Sequence, residues 1–390
     1  MSAAAGTNTR ADRSPVSPWR GILDHRLDFF RGLALMFIFI DHIQDNRVSY
    51  FTLRSFAFCD AAEVFIFISG CTAALAYTPV FDREGVTRVY RRVWQLYVAH
   101  VCLFMIFNAE VAYTLKFHHN PLFYDELQVG NYLENPGEAF IRVLLLQFQP
   151  SLLNILPLYI ALLLVLPFFI LAIRRHFLLG LVPSATLYLV ASVTGWNMPG
   201  FPEGRLWFFN PFAWQFLFAI AVSLGFARTQ VWALLPAMRW LPPVAPGFAA
   251  VSGPIALSWS LHDAVPRIPK FIVLPDTWFD KTMLPPARLV GVLALAVVAD
   301  RYVSRGARFI VSRAGWLVVI CGQNSLHVFC LGILLAVLAN FILNLLGYGA
   351  VVQIVTNLIG LAIMAGVGVL IAWFKAGGRL PDAPDTRAPA

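Results

Sequence analysis

The stretch Arg26–Asn46, RLDFFRGLALMFIFIDHIQDN, decides how this chain is read. Between Arg31 and Asp41 every residue is apolar or glycine, the composition of a helix solvated by lipid. Its ends carry charge: Asp28 and Arg31 at one, Asp41 and His42 at the other. At ~100° per residue Arg31 and His42 return to within ~20° of one face, about 16 Å apart along the axis. Ionisable groups inside a membrane-length helix are costly, and by default they mark function.

The remainder of the sequence agrees with a membrane setting. Of its 390 residues 59% are hydrophobic and only 13% charged, and the mean hydropathy is +0.70. Soluble domains are about one-quarter charged, so a soluble enzyme is excluded and an all-α polytopic bundle in a lipid bilayer is expected. A net charge of +8 would suggest nucleic acid for a soluble protein. Here basic connections on one side of a membrane account for it, and no nucleic-acid partner is expected. Cys59, Cys71, Cys102, Cys321 and Cys330 are scattered without a CxxC, which points to neither a disulfide framework nor a metal site.

Apolar runs fall at about 29–47, 60–78, 93–115, 152–173, 177–195, 210–227, 245–261, 287–303, 316–342 and 350–374. That makes about ten spans of membrane length, the seventh being weakened by Gly, Pro and Ser. The expected organisation is a disordered tail over 1–25, one transmembrane domain over 26–375 and a second disordered tail over 376–390. Arginines cluster before the first span, at Arg83–Arg92, at Arg174 and Arg175, and at Arg301–Arg313. Their alternation predicts that both termini are cytoplasmic; Arg267, Lys270 and Lys281 break the pattern. His42 then faces outward and Arg31 inward. Within the long third connection, Phe140–Phe148 reads as an amphipathic interfacial helix.

Several side chains carry possible chemistry. His42 suits a general base, with Asp41 or Glu63 to hold its tautomer; the plainer alternative is a helix-end histidine among headgroups. Asp60 and Glu63 share a face at the start of the second span, either as part of the site or as caps at a helix N-terminus. Ser69-Gly70 fits close helix packing better than nucleophilic chemistry. Arg88 and Arg91 open the third span as an anion clamp or as positive-inside anchors. Asn324 and His327 stand one turn apart and either line the same channel or satisfy one another. Arg205, Trp207 and Asn210 gather near the sixth span as an acceptor site or an aromatic belt.

Arg31-x10-His42 with Arg88-x-x-Arg91 resembles the two signatures of the acyltransferase-3 superfamily. More closely, RLDFFRGLALMFIFIDHI, TLRSFAFCDAAEVFIFISG, WFFNPFAWQ and SLHVFCLGIL resemble the OpgC proteins, which succinylate osmoregulated periplasmic glucans. The resemblance runs from Arg26 to the tenth span. It implies a multi-pass inner-membrane acyltransferase with a cytosolic acyl-CoA donor, succinyl-CoA, a periplasmic glucan acceptor and no permanently bound cofactor. His42 matches the family's essential histidine, with Asp41 or Glu63 behind it. Arg31, Arg88 and Arg91, together with Asn324 and His327, would attend the donor. Asp60, Arg205, Trp207 and Asn210 would attend the acceptor. The competing class is a transporter that exports a glucan or organic anion without chemistry. Such bundles show broken helices and inverted repeats, and the sequence has no visible repeat.

Overall fold

The computed structural model describes residues 25–81, 83–115, 129–226, 241–304 and 306–379. The expected tails lie outside these residues except at 25 and 376–379, as does 116–128 of the long third connection. Among the described residues the regular structure is helical, with one isolated β-bridge, Pro199 to Leu206.

In chain order the α-helices are α1 (His25–Asp41), α2 (Ala61–Tyr77), α3 (Arg83–Leu115), α4 (Val129–Glu134), α5 (Pro136–Leu144), α6 (Ile155–Arg175) and α7 (Phe177–Thr194). There follow α8 (Pro211–Phe226), α9 (Leu241–Ala264), α10 (Pro286–Tyr302), α11 (Arg308–Val311), α12 (Arg313–Gln323), α13 (Ser325–Leu346) and α14 (Ala350–Lys375). Among the described residues six helices are long and apolar enough to cross a membrane: the greater parts of α3 and α9, together with α6, α7, α13 and α14. The helices α2 and α8 are apolar but shorter. Each expected run overlaps helix, but the six above, not the ten expected, reach membrane length among the described residues; α9 continues through Pro246 and Pro254.

Three boundaries differ from expectation. The first run ends at Asp41 and not near 47, because Asp45 takes a positive φ and Asn46 caps a following 3-10 turn through Val48 N. The ninth run, 316–342, is two helices meeting at Asn324, whose φ of −106° and ψ of 31° leave the helical region. The amphipathic helix ends at Leu144, not Phe148. Leu146 takes a positive φ there, and Gln147 and Phe148 both donate their N–H to the Arg142 carbonyl.

Contacts between small residues set the central crossings. A Cβ on Gly32 would fall 2.0 Å from the Val318 carbonyl oxygen, and one on Gly322 would fall 1.9 Å from that of Asp28. Backbones therefore touch where α1 crosses α12. In the same way Gly70 of α2 meets Phe218 and Ala221 of α8, while Gly225 of α8 meets Cys71. With lipid outside, close van der Waals approach of this kind does much of the work of helix association. It also confirms the packing role expected of Gly70.

Candidate functional site

The α1–α12 crossing holds Asp28 and Arg31 at one end of the bundle. Gln323 donates to Asp28 Oδ2, and Arg31 Nη1 stands 3.7 Å from Asp28 Oδ1. Arg31 Nη2 donates to the Thr72 hydroxyl of α2, while its Nε is buried without a partner. Beside it α1, α2, α3, α6 and α13 line a small, partly open cavity of about 70 Å³. Arg31 and Arg92 line it with the hydroxyls of Ser69, Thr72, Tyr159 and Ser325; Phe65, Leu96, Ile155, Leu156, Leu326 and Phe329 supply the apolar wall. None of the lining side chains is a carboxylate. Arg31 has the Asp28 carboxylate at 3.7 Å and Arg92 only the neutral Gln95, so the wall keeps a net positive charge that favours an anionic occupant.

Arg92 was not singled out by the sequence, which pointed to its neighbours. Arg88 is exposed and paired with Glu84 at 3.3 Å. Arg91 is exposed as well. Of these three arginines it is Arg92, half-buried, that lines the cavity, and its Nη1 donates weakly to Gln95 Oε1 at 3.4 Å. Helical phase is the signal that would have found it: Arg92, Leu96 and His100 lie at successive four-residue steps on one face.

His42 sits beyond the last turn of α1. Its Nδ1 lies 2.5 Å from the Ile38 carbonyl oxygen. A carbonyl can only accept, so Nδ1 carries the proton and Nε2 keeps its lone pair. The expected carboxylate support is absent: Asp41 accepts from the Thr52 hydroxyl at 2.7 Å, and Glu63 is engaged elsewhere. What orients the ring is backbone. Asn340 of α13, 1% exposed, brackets the residue by donating to the His42 carbonyl and accepting from Gln44 N. Asn46, Asn357 and Gln353 continue this amide network to α14. His42 does not line the arginine cavity.

Asp60 and Glu63 form a capping box at the start of α2. Ala62 N donates to Asp60 Oδ1, and Asp60 N donates to Glu63 Oε2, each at 2.9 Å. Both are also saturated by cations from the far end of the chain. Arg288 of α10 donates through Nε to Glu63 Oε1 at 2.6 Å and reaches Asp60 at 3.1 Å; Lys281 pairs with Asp60. The Asp60 carboxylate holds the Lys281 ammonium above its ordinary pKa. Lys281, an exception to the basic-loop pattern, is thus accounted for by a local partner. Its segment is pinned further: Trp214 Nε1 donates to the Lys281 carbonyl, Asn210 N to Thr282, and the Tyr188 hydroxyl to Leu284.

The other candidates are dispersed. Asn210, fully buried, donates to the Trp196 carbonyl and accepts from Phe212 N at the start of α8. Trp207 is 5% exposed with Nε1 unpartnered, and its carbonyl accepts from Asn197. Arg205 is exposed in a turn. They do not form one face, because Asn210 and Trp207 point into the bundle. Asn324 Oδ1 accepts from Lys375 Nζ at 2.7 Å, and its Nδ2 donates to Ile320. His327 is exposed, so the two do not satisfy each other.

Together these features define an all-helical, multi-pass membrane protein with an arginine-lined cavity in its bundle. Within that class the chain belongs to the OpgC protein family, whose pattern matches residues 23–376. No curated protein and no solved structure matches it.

Proposed function

We propose that the chain is an inner-membrane O-acyltransferase moving a succinyl group from cytosolic succinyl-CoA to a hydroxyl of periplasmic glucan. Family membership supports the reaction class. The structural observation that carries the reading is the cavity itself: two arginines and four hydroxyls around an apolar space without an acid suit an anionic, partly apolar donor. Arg31 and Arg92 would hold donor anions, phosphate or carboxylate. Placement inward for this end and outward for His42 follows the arginine pattern of the connections.

In the proposed reaction His42 Nε2 takes the proton of the glucan hydroxyl as its oxygen attacks the thioester carbonyl. The carbon–sulfur bond then breaks, and the coenzyme A thiolate leaves and takes up a proton. Ile38 and Asn340 keep the Nδ1–H tautomer and the ring position in place of a carboxylate. Bringing two substrates together from opposite sides supplies much of the rate through effective concentration.

The test is purified protein given succinyl-CoA and glucan. The wild-type chain releases free thiol and yields succinylated glucan by mass spectrometry. His42→Ala folds but loses at least about a hundredfold in rate, the scale of general-base catalysis. Transport without thiol release overturns the reading, and full activity in His42→Ala removes the base.

A further inference from the structure

His100 of α3 is completely buried, and neither ring nitrogen has a partner among the described residues. It plays no part in the chemistry assigned above. A buried imidazole with both nitrogens bare is expensive in an apolar bundle, so its position relative to the cavity matters. Leu96, one turn earlier on the same face, lines the cavity, as do Ile155 and Leu156. His100 therefore stands about 6 Å further along α3. Asn154, immediately before Ile155, is also buried, and its Oδ1 is unpartnered. His100 and Asn154 are not in the cavity's own lining; they lie behind its apolar wall, next along the chain from Leu96 and Ile155.

We infer that His100 is a binding residue that hydrogen-bonds a secondary amide in the linear arm of an acyl-CoA donor whose arm extends from this cavity past Leu96. The inference rests on the donor reading above. A neutral imidazole offers one N–H and one bare nitrogen, the complement of an amide C=O and N–H. Asn154 Oδ1 adds a second acceptor for the same arm. Phosphates would stay with the arginines, and the amide-bearing arm would lie along Leu96 toward His100. Neither partner has to carry charge.

Thermal-shift and calorimetric binding on the purified full chain test this, with coenzyme A, pantetheine and the adenosine bisphosphate half of coenzyme A as separate probes. His100→Leu removes an unsatisfied polar group, so the unliganded protein should melt roughly 2–4 °C higher. The same variant should bind coenzyme A and pantetheine about tenfold more weakly and the bisphosphate half unchanged. His100→Gln, which keeps a donor and an acceptor, should recover most of the affinity. A merely structural histidine would give the opposite stability change or weaken all three probes alike, and either result overturns the assignment. Unaltered coenzyme A binding in His100→Leu removes the assignment alone. No coenzyme A binding by the wild-type chain removes the donor reading, and the assignment with it.

Discussion

The two ends of α2 treat buried charge in opposite ways. At its start Asp60 and Glu63 meet Arg288 and Lys281, two acids against two bases, with the remaining lone pairs taken by backbone N–H groups. Toward its far end Thr72 faces a cavity with Arg31 and Arg92 and no acid in its wall. The first arrangement is closed and has nothing left to offer a substrate. The second is open, and among the described residues Asp28 is the acid paired with Arg31, at 3.7 Å. Buried charge that is balanced reads as architecture, and buried charge left over reads as a binding site.

Four substitutions sharpen or break this contrast. Arg288→Met strips both carboxylates of a buried partner and should cost about 3–5 kcal/mol, seen as loss of folded protein after detergent extraction; a normal melting curve would mean the cluster is not architectural. Arg92→Gln should leave folding intact and weaken coenzyme A binding about 10- to 100-fold, the range for a charge-assisted contact; calorimetry decides. Arg88→Gln with Arg91→Gln should change that affinity by no more than about twofold, since exposed ion pairs contribute little. An effect matching that of Arg92→Gln would move the donor contact to the outer face of α3.

The smallest expected effect concerns pH. Lys281 titrates above its ordinary value because of Asp60. Its contribution is therefore fully present below the unfolded pKa and is lost as pH rises through the higher folded one. Melting temperature followed from neutral to strongly alkaline pH should fall less in Lys281→Met than in the wild-type chain. Its side chain is 44% exposed, so added salt should shrink the difference.

Helix existence was legible because apolar runs of membrane length leave few alternatives. The capping box was legible too, since Asp60 and Glu63 stand three apart at a helix start. What closes it was not. Arg288 lies 225 residues from Glu63, and no local pattern connects them. The break at Asn324 was hidden because hydropathy averages over it, and the residue that bonds the Asn324 side chain there, Lys375, lies at the end of α14. Arg92 was overlooked among three nearby arginines because charge clusters show residue type and not helical phase. For His42 the helix position was readable, but its orientation by a backbone carbonyl has no side-chain signature. Trp207 and Asn210 looked like surface recognition groups; burial against Asn197 and Trp196 came from a tertiary turn invisible in sequence.

The contact of bare backbone at Gly32 and Gly322 has a mechanical consequence. With main chains in direct contact at both points, no room for a side chain is left between α1 and α12. A side chain added at either glycine would have to part the two helices and shift Asp28 and Arg31 with them.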